Sequence, residues 1–104
     1  MTTISSTALT TTPTAIFTAT GTNVITTMYF CNVDNYASTS FSVWLVPNGD
    51  TVSNINLIYN NVTVVARDTH IVDREKIVLS NGDAIYAYAN ISNLISATVS
   101  NFSQ

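Results

Sequence analysis

Charge is what this chain has least of. Of its 104 residues three are Lys or Arg, six are Asp or Glu and one is His. That is 9% charged, where ordinary soluble domains carry roughly a quarter. Arg67, Arg74 and Lys76 are the only cations, too few for the basic stripe that displaces counterions from phosphates, so nucleic-acid binding is excluded. No basic amphipathic helix is present to lie on a membrane, and no apolar run approaches the length of a bilayer span. The opening residues, MTTISSTALTTTP, hold neither a basic nor a continuous apolar segment, so no secretion signal is expected. The single cysteine, Cys31, excludes an internal disulfide and, set in an apolar strand, reads as a buried, inert thiol.

Catalytic frames are equally scarce. The serines lie in no Gly-x-Ser-x-Gly elbow, and no Gly-rich phosphate cradle occurs. Asp34, Asp50 and Asp83 fall in turns, where Asp usually caps its own backbone. Six of the nine Asp, Glu, Lys and Arg residues gather at Arg67, Asp68, Asp73, Arg74, Glu75 and Lys76, with His70 among them. Asp68 and His70 are two apart, but there is no second His and no Glu-x-x-His or His-x-His spacing to complete a metal site. The cluster reads as a solvated edge that blocks sheet-to-sheet aggregation, or as a salt-bridged contact with another subunit. No catalytic residue, metal site or cofactor is therefore expected.

What the chain does have is 46% hydrophobic residues in short runs separated by Thr, Ser and Asn. Helical stripes are missing, and β-branched residues dominate. The segments 15–20, 23–33, 39–47, 56–59, 62–66, 69–72, 77–79, 84–91 and 94–102 read as strands. Their spacing predicts an all-β fold: a single β-sandwich of jelly-roll or immunoglobulin-like type, with about eight antiparallel strands and no substantial helix. Residues 1–14 are a Thr-rich arm or edge strand that orders against a neighbour; residues 15–104 form the sandwich. Ser80-Asn81-Gly82-Asp83 is the strongest turn signal and predicts a hairpin between 77–79 and 84–91. Asn60-Asn61 predicts another.

In the segment 84–91, Ile85, Ala87, Ala89 and Ile91 share one side, and Tyr86 and Tyr88 the other. Likewise Phe41, Val43 and Leu45 oppose Trp44. Trp44, Tyr86 and Tyr88 thus face outward, as interface anchors do. Covering a second core face under loops and stacking on sugars are the alternatives. Arg67, Arg74 and Lys76 complete the expected interface set.

The motifs Tyr29-Phe-Cys-Asn32, Leu45-Val-Pro-Asn-Gly49, Asp68-Thr69, Asp73 to Leu79 and Asn81 to Ile85, in this order and spacing, resemble a family of small bacteriophage virion proteins. The resemblance spans roughly residues 7 to 100. It implies a β-sandwich without enzymatic activity that multimerises as a capsid decoration (cement) protein or as a tail, neck or fibre module. The expected place is the virion, the capsid surface favoured over the tail. Expected partners are further copies of the chain, a trimer favoured, and the major capsid protein; neither nucleic acid nor membrane is expected. Tyr86 and Tyr88 depart from the small or charged residues usual there.

Overall fold

The computed structural model describes residues 2–73 and 77–103. Among the described residues there are nine strands: β1 (Thr2–Ala8), β2 (Thr14–Thr18), β3 (Asn23–Asn32), β4 (Thr39–Val46), β5 (Leu57–Val64), β6 (Thr69–Val72), β7 (Ile77–Leu79), β8 (Ala84–Ala89) and β9 (Ile95–Ser103). A single 3-10 turn at Asn54–Asn56 precedes β5 and is capped by Ser53. The strands form two antiparallel sheets that pack into a β-sandwich. One holds five strands in the order β1-β9-β3-β6, with β7 pairing the same edge of β3 beyond β6; the other holds four, in the order β2-β8-β4-β5.

β6 pairs with Met28–Cys31 and β7 with Asn23–Ile25 of the same strand, so the two are halves of one interrupted strand. Counted as one, the sheets run first-eighth-third-sixth and second-seventh-fourth-fifth. That is the order of a jelly roll, in which a long strand pair is rolled up and each successive strand changes sheet except from the fourth to the fifth.

The rolled topology overturns the expected hairpin at residues 80–83. β7 lies in the five-stranded sheet and β8 in the four-stranded one. The turn is well formed: the Asp83 amide donates to the Ser80 carbonyl at 3.0 Å, and Gly82 has φ +89°. Asn81 keeps a negative φ. Hairpins favour turns with a positive φ at the first central residue; a positive φ only at the second splays the flanking strands. Here the splay carries the chain across the sandwich. The Gly82 amide donates to the Ala19 carbonyl, and a Cβ on Gly82 would collide with the Asn48 side chain.

Asn60-Asn61 is likewise no hairpin. β5 runs straight through it as one strand, with Asn61 at φ +51° and a shift of register against β4 between Phe41 and Val43. This is a bulge. A second bulge, in β3 between Ile25 and Thr27, breaks the regular alternation of a strand there. Asn23 and Ile25 face inward before it, and Met28, Phe30 and Asn32 after it. The Thr26 hydroxyl occupies the bulge and donates to the Ser100 carbonyl. Residues 2–8 do form an edge strand, but β1 pairs along its whole length with β9 of its own chain.

The core lies between the sheets. Phe30 of one sheet stacks on Phe41 of the other, ring centroids 4.2 Å apart and 12° from parallel, both fully buried. Leu9, Met28, Ile85, Ile95 and Val99 close around them. The small residues Ala87 and Ala89 on β8 leave room for these rings, as the even alternation of that segment requires.

Candidate interaction surfaces

Opposite partners on β4 and β8 are Ser42 with Tyr88, Trp44 with Tyr86, and Val46 with Ala84, all on the outer side of the four-stranded sheet. Trp44, Tyr86 and Tyr88 are therefore brought together, on the side that alternation predicts. Trp44 nevertheless differs from expectation. It is only 9% exposed, because Tyr88 lies against its indole at 5.6 Å and Leu57 of β5 flanks it on the other side. Its role is to support the two half-buried tyrosines rather than to offer a surface of its own.

The bulge adds two residues that the sequence did not single out. Asn61 donates its amide N–H to Ser42 Oγ at 2.9 Å, and its Oδ1 accepts the Tyr88 hydroxyl at 3.2 Å and Ser42 Oγ at 3.5 Å. A tyrosine beside a fixed side-chain amide results. The only sequence signal for it was the Asn-Asn pair, which reads as a turn.

The remaining expected interface residues lie elsewhere. Arg67 sits in the turn between β5 and β6 at φ +67°, its amide donating to the Asp34 carbonyl. Arg74 and Lys76 lie outside the described residues. His70 is not part of a solvated charged edge. It is half-buried opposite Phe30, with its ring 5.6 Å from Phe41 and 5.9 Å from Tyr59. Asp68 bends away to accept the Thr69 amide. Among the described residues no group of three or more His, Cys, Asp or Glu could hold a metal ion, and no helix is long and apolar enough to cross a membrane. A recess of about 500 Å³ beside the 3-10 turn, between Pro47, Asp50, Ser53, Ile55 and Ile58, contains one acid and no base or thiol.

No strand among the described residues contains Asp, Glu, Lys or Arg. Asp34, Arg67 and Asp68 cluster where β3 ends and β6 begins; Asp50 and Asp83 sit in the turns after β4 and before β8; Asp73 follows β6. Among the described residues charge is thus confined to the turns, and no charged residue lies in a strand of either broad face. The outer side of the five-stranded sheet carries Tyr29, Ile71, Val78, Phe102 and Ile4, each at least 40% exposed, among Ser and Thr. Cys31 is on this side too and half-buried, where a buried thiol was expected.

The Ala37 amide, at 2.6 Å, and the Tyr36 amide, at 3.0 Å, hold the Asp34 carboxyl below the usual aspartate range. A pKa lowered by folding means stability that is present above the ordinary aspartate pKa and is lost as pH falls through the lowered one. Asp34→Asn keeps an acceptor oxygen without the charge. The unfolding midpoint of that variant is expected to lose part of its decline in acid, measured by urea titration across pH.

Fold and surface together define a jelly-roll β-sandwich whose described strands carry no charged residue. No protein family, curated protein or solved structure matches the chain.

Proposed function

We propose that the protein is a non-enzymatic structural component of a bacteriophage particle, a capsid decoration protein that oligomerises and clamps neighbouring capsid subunits. The observation that supports this reading best is that, among the described residues, charge is confined to the turns. Solubility of a free protein draws on surface charge, whereas a subunit seated at high density among identical neighbours needs faces that do not repel. The jelly roll is also a common fold of viral capsid domains, which is support by analogy. The mechanism is mass action: a clip that binds only the assembled shell stabilises that shell by its binding free energy.

Quantitative mass spectrometry of purified particles tests this. A copy number comparable with that of the major capsid protein, together with a higher disruption temperature when the purified protein is added to stripped shells, is the expected result. A few copies per particle contradicts it.

A second reading is a tail or fibre module that binds a host receptor or glycan. It is favoured by Tyr88 beside Asn61, since an aromatic face next to a fixed amide suits a sugar ring and its hydroxyls. That reading expects low copy number and retention of the protein on host cells, with loss of retention in Tyr88→Ala.

A further inference from the structure

The two sheets end in four outer edges, and three of them are guarded against a further strand. β2 is five residues long, follows Pro13 and shifts register between Ala15 and Phe17. β5 shifts register against β4 and passes Asn61 at a positive φ. β6 and β7, four and three residues long, share one edge, with Asp68 before β6 and Asp73 after it. Bulges, proline, shortness and charge are the devices by which native sheets refuse an added strand. β1 has none of them. Its seven residues, TTISSTA, hold no proline, glycine or charge and pair with β9 in unbroken register, on one side only.

The groups on the other side are set out for a partner. The Leu9 amide donates to the Ile95 carbonyl and the Leu9 carbonyl accepts the Asn93 amide, both at 2.8 Å, so Leu9 turns both groups toward β9. Such residues alternate along an antiparallel ladder. Thr3, Ser5 and Thr7 therefore bond β9, while Thr2, Ile4, Ser6 and Ala8 hold their N–H and C=O out at the open edge. From this we infer that β1 pairs antiparallel with β1 of a second copy. The two-fold axis stands perpendicular to the sheet between the two Ser5 residues and continues one five-stranded sheet into the other.

Register selects the occupant. That axis sets Ile4 opposite Ser6 of the second copy and Thr2 opposite Ala8, so every outward-turned N–H and C=O of one strand meets its complement on the other. The remaining edges cannot take this place. Bulges break the register of β2 and β5, and β6 and β7 are too short to match seven residues. Among the described strands β1 alone offers an edge that fits β1 along its length. Charge agrees with register. An uncharged strand offers a charged peptide no counter-charge, whereas two copies, each of formal net charge −3, meet here with no carboxylate between them. A two-fold contact must be self-complementary, and β1 is so in both respects. The inference goes beyond the particle reading above, because it rests on the strand edge and not on where the protein resides.

Sedimentation equilibrium and amide hydrogen exchange test it on the whole chain. Wild type is expected to dimerise reversibly, with the Ile4, Ser6 and Ala8 amides gaining protection as concentration rises. Ser6→Pro removes an amide that faces the open edge and leaves the bonds to β9 in place, as proline on an edge strand does. It is expected to weaken dimerisation by more than about thirtyfold, because symmetry deletes the bond twice and sets each ring against a carbonyl. Ser6→Ala keeps the amide and should dimerise like wild type, which separates the backbone from the hydroxyl that bonds Thr98. Ile4→Lys leaves the backbone unchanged and sets two like charges across the axis; it should weaken dimerisation by more than about tenfold. Circular dichroism melts establish that the variants fold. A wild type that stays monomeric at every concentration overturns the inference. So does a dimer in which the Ser6 amide stays open, whether it forms by exchange of β1 or through a sheet face. Protected amides in a dimer that is absent from particles refute the particle reading alone; abundance on particles with those amides open refutes the pairing alone.

Discussion

Phe41→Ala is expected to destabilise the domain by about 3–5 kcal/mol, enough to unfold much of a small domain whose total stability is of order 5–15 kcal/mol. Phe41 is fully buried on β4, and its ring stacks on Phe30 from the opposite sheet while His70 lies tilted against it at 5.6 Å. Truncation removes the contact that holds the two layers at their spacing. The small residues around it cannot close the void, because Ala87 and Ala89 are fixed by the β4–β8 ladder. Phe41→Leu keeps most of the volume and should cost under half as much. Urea unfolding followed by tryptophan fluorescence reads both, since Trp44 is three positions away on the same strand. A loss below about 1 kcal/mol for Phe41→Ala would mean that the layers are held elsewhere.

Asn32→Asp is the second large effect. Asn32 is 1% exposed and joins three segments. Its Nδ2 donates to the Val64 carbonyl at 3.0 Å, in the other sheet, and to the Ala37 carbonyl at 2.9 Å; its Oδ1 accepts the Asp34 amide at 3.0 Å. Aspartate replaces the double donor with an acceptor facing two carbonyl oxygens. Each buried group left unpaired costs about 1–3 kcal/mol, so a loss of about 3 kcal/mol or more is expected at neutral pH. The sign of its pH dependence follows. The buried carboxyl favours its protonated form, so its folded pKa is raised. A raised pKa gives an acid stability that is present below the unfolded value and is lost as pH rises toward the folded one. Asn32→Asp should therefore become less stable from mild acid to neutral pH, relative to wild type. Parallel curves for the two proteins would show that Asn32 is not the buried donor described here.

These two residues also show how far the sequence can be read. The inward side of the four-stranded sheet was legible because Phe41, Val43 and Leu45 alternate without interruption, as do Ile85, Ala87 and Ala89. β3 could not be read the same way past Thr26, because one extra residue in a bulge exchanges the two sides, and nothing local marks where a bulge falls. The turn at Ser80–Asp83 was placed correctly, yet its strands do not pair. Whether a turn closes a hairpin or crosses between sheets depends on a backbone angle at Asn81 and on the partners waiting for each strand.

The candidate surfaces followed the same rule. Alternation gave the direction of Trp44, Tyr86 and Tyr88, but direction is not exposure, and neighbours on two strands bury the indole. Asn61 meets Tyr88 only because β4 and β8 pair at residues distant in the chain. The uncharged strands were hidden for a related reason. Low charge was plain from composition, but its confinement to turns among the described residues emerges only once strand boundaries are fixed.

Sedimentation velocity of the purified chain over a range of concentrations, at low and at high salt, probes the working role of these uncharged strands most directly. Association that persists or strengthens as salt rises is predicted, because an apolar, uncharged contact has no ion pairs to screen. Association that dissolves in salt, or a monomer under every condition, would contradict it and return the contact to the charged turns.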